Sequence, residues 1–217
     1  MSEYADVARK LFDMGCVKFG EFRLKLHERQ PDAPLSPVYV DLRLLQSHPG
    51  VLRDVAGWMA LSLGDYRLSA GAEGSVSLRV AGVPVAGVPI ATAVSLATGV
   101  PAVTPRTDRK AHGTGAPVDG EYAEGDRVVL VDDLITGADS KLEAIGVLER
   151  AGLAVAEVLV VLDREQGGSE ELRGRGYRVV SMFKMRELLS LYRGWSLITD
   201  EQFAEVYSYM GWGKDAG

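Results

Sequence analysis

The sequence predicts an α/β protein with a central, mostly parallel sheet flanked by helices, and three observations predict it. Residues 127–131 and 155–162 are nearly continuous Val/Leu runs, the pattern of strands covered on both faces, which is the situation of a parallel sheet. Between them "SKLEAIGVLERAG" places Leu142, Ile145 and Leu148 on one face. A strand, helix and strand of these lengths form a right-handed crossover unit. Upstream, Pro89 to Thr98 followed by residues 100–104 reads as a further helix and strand.

In chain order, residues 2–20 carry Val7, Leu11 and Met14 at helical spacing and are expected to be a helix. Residues 49–63 repeat the pattern with Leu52, Val55 and Met59. The Pro89–Thr98 helix opens with proline in its first turn and is closed by Gly99. In the tail, Thr199 and Gln202 stand in capping-box register and Gly211 is the expected stop. The stretch from Val80 to Pro105 carries no charge. Pro84, Pro89, Pro101 and Pro105 interrupt it, however, and its residues are small, so it reads as buried loop, helix and strand rather than a membrane span.

At 217 residues the chain suits one globular domain with at most a small appendage. A net charge of -6 argues against a nucleic-acid partner, which demands dense positive charge. A single cysteine, Cys16, leaves no internal disulfide and fits a reducing compartment. The three histidines are scattered and suggest no zinc cluster. The start, "MSEYADVARKLF", is charged and shows no signal peptide, so the expected location is the cytoplasm, with no membrane partner.

"VVLVDDLITGADS", residues 128–140, sets Asp132 and Asp133 at the end of a buried run. Buried charge is costly unless something binds it. In open parallel sheets the carboxyl ends of the strands are where ligands sit. Thr136, Gly137 and Ala138 are small enough to let backbone wrap an anion, and the helix starting near Ser140 would aim its free N–H groups there. A sugar phosphate fits, with phosphate on the turn and hydroxyls or a magnesium-bridged diphosphate on the carboxylates. The alternative is structural: Ser140 and Glu143 match a capping box, and the turn then only starts a helix.

"VVLVDDLITGADS" resembles the phosphoribosyl-diphosphate (PRPP) signature of type I phosphoribosyltransferases. "FRLKL" with "SPVYVDLR", "AGVPVAGVPIATAVS", "PRTDRKAHGTG" and "VLDREQGG" are similar, in order, to further segments of one branch, the orotate phosphoribosyltransferases. They resemble the N-terminal substrate segment, the diphosphate loop with its helix, the mobile catalytic loop and the orotate-recognition strand end. The resemblance implies one phosphoribosyltransferase domain. A hood of about residues 1–60 would join a PRPP-binding core of about residues 61–217. It implies a homodimer, Mg2+ as cofactor, and orotate and PRPP as substrates.

Carried over residue by residue, the resemblance sets Asp132 and Asp133 at the ribose hydroxyls, directly or through magnesium. Thr136, Gly137, Ala138, Asp139 and Ser140 would hold the 5′-phosphate. Gly82, Val83, Pro84 and Gly87 would lie against the diphosphate. Arg106, Lys110 and His112 would meet it too, the last two arriving from the partner subunit. Lys25 would contact PRPP near the base, and Arg164 would pair with the orotate carboxylate. The alternatives are a solvated turn for residues 107–115 and a surface ion-pair cluster for Asp163, Arg164 and Glu165. Residues 27–35 are longer than the family's compact turn, and Ala138 and Asp139 depart from its phosphate turn. Ala138 adds a Cβ and Asp139 a negative charge beside a dianion. These departures leave a second hypothesis, a catalytically weak relative that binds PRPP or nucleotide as a sensor.

Overall fold

The computed structural model describes residues 3–28, 30–70, 77–107 and 116–212, with backbone alone at residues 3, 25–26 and 64–70. The elements in chain order are α1 (Glu3–Asp13), β1 (Val17–Phe22), β2 (Ser36–Val40), α2 (Pro49–Ala70), β3 (Leu78–Gly82) and α3 (Gly87–Thr98). They continue with β4 (Ala102–Pro105), β5 (Val118–Asp119), β6 (Arg127–Ile135), α4 (Asp139–Arg150), β7 (Ala154–Asp163), α5 (Gly168–Gly174), β8 (Arg178–Lys184), α6 (Met185–Gly194) and α7 (Asp200–Tyr209). The chain forms two compact units, residues 1–44 with 185–217, and residues 45–184.

The first unit gathers α1, α6 and α7 with the antiparallel pair β1–β2. The helix expected over residues 2–20 stops at Asp13, because Gly15 turns the chain at φ +70° and Val17–Phe22 is a strand. Val7, Ala8 and Leu11 are fully buried, so the helical spacing was right up to that turn. Tyr192 of α6 is buried too, its hydroxyl donating to the Ala8 carbonyl at 3.1 Å and its ring meeting Phe12 edge-on. Helix α7 opens with the expected capping box: the Thr199 side chain accepts from the Gln202 N–H, and Gln202 reaches back to the Thr199 N–H. Gly211 follows it at φ +73°.

The second unit is built on a six-stranded sheet in the order β5-β4-β3-β6-β7-β8, parallel except for the two-residue edge strand β5. Its central strands β6 and β7 are buried almost throughout, as the apolar runs require. The α3 helix ends as expected, with Gly99 in the left-handed region at φ +71° and its N–H returning to the Ser95 carbonyl. Strand β6 runs four residues beyond the expected 127–131, through Ile135. The acidic pair therefore lies inside the last paired stretch of the sheet, with Asp132 in register with Val160. Among the described residues, no helix is long and apolar enough to cross a membrane.

Candidate active site

The carboxyl ends of β3, β6 and β7 bring together segments far apart in sequence. Gly82 pairs with Val131 across β3 and β6, and the Val83 N–H donates to the Val131 carbonyl at 2.9 Å. The loop then turns at residues 83–86, includes a cis peptide between Pro84 and Val85, and enters α3 at Gly87. Glycine at both ends answers a packing need. A Cβ on Gly82 would come 2.6 Å from Val88 Cα and from the Gly87 carbonyl oxygen, and one on Gly87 would stand 3.2 Å from Asp132 Cα. The close backbone approach these glycines allow is made first of all to the protein's own chain, and it seats the loop beside Asp132. Val83 is buried, while Val85 is largely exposed at 84%.

Asp132 and Asp133 are both buried. Asp132 Oδ1 accepts the Asp133 N–H at 2.9 Å, and its Oδ2 meets Lys141 Nζ at 2.6 Å. Asp133 Oδ1 accepts the Leu134 N–H at 2.7 Å. Burial, and then the neighbouring Asp132 charge, push the Asp133 carboxyl up to about 7. A carboxylate with that cost of ionisation is primed for a cation or a hydroxyl donor.

Behind the pair, Thr136, Gly137 and Ala138 form the turn into α4. Ala138 is the N-cap residue of α4 and makes no side-chain cap, so the capping box of Ser140 and Glu143 is not formed. Uncapped N–H groups at the start of a twelve-residue helix are an anion site in waiting. Ala138 adopts right-handed helical angles (φ -88°, ψ -12°) and is buried in the core beside Ile135 and Ile145. Its Cβ therefore asks for no backbone freedom that only glycine has. Asp139 and Ser140 are exposed in the first turn of α4, and Gly137 has open space where a Cβ would sit. Gly168 backs the turn: its N–H donates to the Thr136 carbonyl at 3.1 Å, and a Cβ on it would lie 2.8 Å from that oxygen.

Arg164 leaves the end of β7 with its N–H on the Ile135 carbonyl at 2.9 Å, and it is buried at 7% exposure. The reading of Asp163–Arg164–Glu165 as a surface cluster is therefore corrected. Asp163 is buried, and its carboxylate accepts from the Ser169 hydroxyl at 2.6 Å and the Glu165 N–H at 2.8 Å. Glu165 follows at φ +56°, a turn that these bonds hold. Arg106 lies beyond β4, exposed, with its Nε on Asp119 Oδ2 at 2.7 Å. That guanidinium holds the Asp119 carboxyl below the usual range.

Lys110 and His112 lie outside the described residues. So does the side chain of Lys25, whose backbone is in a short 3-10 turn, Lys25–Glu28, of the first unit. The residue that sequence reasoning missed is Lys141, which is 4% exposed. It occupies the first position of an i, i+3, i+4, i+7 stripe completed by Ala144, Ile145 and Leu148, all buried. A lysine in register with an apolar stripe is the signal that would have found it.

The phosphoribosyl transferase domain family matches residues 44–181. The chain is 34% identical over 183 residues to an orotate phosphoribosyltransferase of Pyrococcus furiosus, covering 84% of this chain and 93% of that one. Among solved structures, orotate phosphoribosyltransferase from Aeropyrum pernix aligns with a TM-score of 0.66 at 33% identity over 87% of this chain and 98% of that chain. Leishmania donovani UMP synthase aligns with a TM-score of 0.74 at 36% identity, covering 95% of this chain and 42% of that one. The chain likewise spans only 38% of a bifunctional enzyme of Nostoc, to which it is 33% identical.

Proposed function

The chain belongs to the phosphoribosyltransferase family, within it to the orotate phosphoribosyltransferases, and from that premise we propose that it transfers the 5-phosphoribosyl group of PRPP to orotate. The products are orotidine 5′-monophosphate and diphosphate, a step of pyrimidine biosynthesis. The observation that carries the reading is the uncapped start of α4 directly behind the buried acidic pair. It joins an anion cradle to carboxylates at the end of a parallel sheet.

A pyrimidine nitrogen attacks the anomeric carbon of the ribosyl group. The new C–N bond forms as the C–O bond to diphosphate breaks, the electron pair leaves on the diphosphate oxygen, and the nitrogen's proton is released. Positive charge develops on the ribosyl ring along the way, so catalysis is positioning and electrostatics rather than covalent chemistry. In this reading the turn Thr136–Ser140 takes the 5′-phosphate and the loop Gly82–Gly87 takes the diphosphate. Asp133, with Asp132 behind it, takes the ribose hydroxyls, and Arg164 grips the orotate carboxylate through parallel hydrogen bonds. Arg106 exchanges Asp119 for the diphosphate. Lys25 near the base, and Lys110 and His112 from the partner of a homodimer, complete the set on the strength of the family resemblance alone.

Hard carboxylate oxygens beside substrate phosphates suit Mg2+. Among the described residues no group of three or more His, Cys, Asp or Glu gathers to hold a metal; an ion brought by the substrate phosphates would meet the protein at Asp133, with Asp132 behind it. When bound, it supplies charge neutralisation to the departing diphosphate. The buried, helically disposed Ala138 removes one of the two reasons for reading the chain as a catalytically weak sensor. The test is the loss of orotate absorbance with PRPP and Mg2+. Turnover is expected, and PRPP binding without turnover would establish the sensor instead.

A further inference from the structure

The Lys141 ammonium is buried at the junction of β6 and α4. Its Nζ donates to the Leu134 carbonyl at 2.5 Å, meets Asp132 Oδ2 at 2.6 Å and lies 3.4 Å from Ser140 Oγ. Leu134 and Asp132 belong to the end of β6, and Ser140 to the first turn of α4. The side chains of Lys141 and Asp132 are 5% and 6% exposed. An apolar side chain of similar length would fill the same stripe, and replacing a buried ion pair as a whole by apolar residues commonly leaves a fold no less stable, whereas removing one partner strands the other's charge. Packing alone therefore does not call for an amine here.

We propose that Lys141 is a positioning residue of the phosphoribosyl site: it clamps the Asp132 carboxylate and the Leu134 carbonyl against the start of α4, and so leaves Asp133 as the carboxylate that meets the sugar. With Oδ1 on the Asp133 N–H and Oδ2 on Lys141, Asp132 has both oxygens engaged, whereas among the described residues no ion pair reaches Asp133. The two neighbouring aspartates thus divide the labour, one as anchor and one as contact. The clamp also couples the phosphate turn to the acidic pair, so that the distance between 5′-phosphate and ribose subsites is held by one side chain.

This inference rests on the phosphoribosyl reading above, and the test separates the two. Lys141→Met, Asp132→Asn and the double variant are compared with the wild-type protein by circular dichroism, calorimetric titration with PRPP and Mg2+, and steady-state turnover of orotate. The expected result is a folded Lys141→Met protein whose kcat falls up to about 100-fold and whose PRPP affinity weakens, while KM for orotate stays put. The double variant is expected to match Asp132→Asn rather than the product of the two single losses, since both substitutions remove one clamp. It keeps the test alive if Lys141→Met leaves Asp132 buried without its cation and fails to fold. Wild-type constants in Lys141→Met, multiplicative losses in the double variant, or equal damage to orotate and PRPP would each overturn the positioning role. If the wild-type protein binds PRPP but turns over no orotate, the proposed activity fails. The clamp is then judged by the titration alone, where unchanged PRPP affinity in Lys141→Met overturns it. A wild-type protein that binds no PRPP overturns both.

Discussion

Gly87 rests its Cα against the carbonyl of Val131 so tightly that a Cβ at this position would overlap that oxygen. The contact fixes where α3 begins relative to the end of β6, and hence where the Gly82–Gly87 loop lies beside Asp132. Gly87→Ala must move backbone, because the atoms a Cβ would meet first are backbone, the Val131 carbonyl oxygen and Asp132 Cα. Overpacking of this kind costs about 1–3 kcal/mol. The expected variant has a lowered unfolding midpoint and a larger loss in PRPP affinity than Gly137→Ala. The latter adds its Cβ to open space. Thermal unfolding together with PRPP titration of both variants checks this, and equal PRPP affinities would separate the loop from the site.

Arg164 stands at the end of β7, its backbone tied to Ile135 and its neighbour Asp163 locked by Ser169. With its backbone held in this way and the residue buried, the Arg164 side chain has little freedom left to lose on gripping a carboxylate, so the bond it makes counts. Arg164→Ala is expected to raise KM for orotate roughly 10- to 100-fold, the range for losing a charge-assisted hydrogen bond. PRPP affinity should change far less. Steady-state kinetics with each substrate varied in turn gives the comparison, and parallel losses for both substrates would withdraw the assignment to orotate.

How legible all this was in the sequence depends on which signal each element carried. Strands β6 and β7 announced themselves because burial on both faces leaves no polar alternation to confuse them. The end of α1 did not: Val7, Leu11 and Met14 keep helical spacing up to a single glycine, and past Gly15 the VKFGEF segment pairs with β2 instead. Strand pairing at a distance is invisible to local periodicity. At the site, the acidic pair and its turn were readable because carboxylates in an apolar run conflict with burial. Lys141 was missed because a lysine in the first turn of a helix is ordinarily solvated, although its register with Ala144, Ile145 and Leu148 puts it on the buried face. The capping box at Ser140 and Glu143 failed for the same reason that makes the site useful, as α4 begins at Asp139 with Ala138 in the cap position.

Asp126 anchors the opposite end of the sheet. Its carboxylate accepts the N–H groups of Ser77 at 3.2 Å and Ala123 at 2.9 Å and pairs with Arg79 at 2.9 Å, at 2% exposure. Burial alone would raise this carboxyl, but the two backbone hydrogen bonds and Arg79 outweigh it and hold it below the usual carboxylate range. The folded protein thus releases the Asp126 proton more readily than the unfolded chain. Its contribution to stability is present above the unfolded pKa of about 3.9 and is lost as pH falls through the lower folded value. Asp126→Asn is expected to destabilise by about 2–3 kcal/mol at neutral pH, with the gap to wild type narrowing below about pH 4. Urea unfolding from pH 3 to 7 reads the difference, and a pH-independent gap would show that the charge is not what matters.

Asp139 poses a trade-off that one substitution resolves. As the first residue of α4, exposed to solvent, it favours the helix through the macrodipole by about 0.3–1 kcal/mol. Beside a bound phosphate dianion the same charge is repulsive, by about 1 kcal/mol in water at about 4 Å and about 4 at a surface-like dielectric. For an exposed side chain the lower figure applies, which converts to roughly fivefold in affinity. Asp139→Asn is therefore expected to tighten PRPP about fivefold while lowering the unfolding temperature slightly, the two effects running in opposite directions. Titration at low and high salt supplies the control, because screening should shrink the affinity gain. An unchanged affinity at both salt concentrations would mean that the Asp139 carboxylate turns away from the phosphate and serves α4 alone.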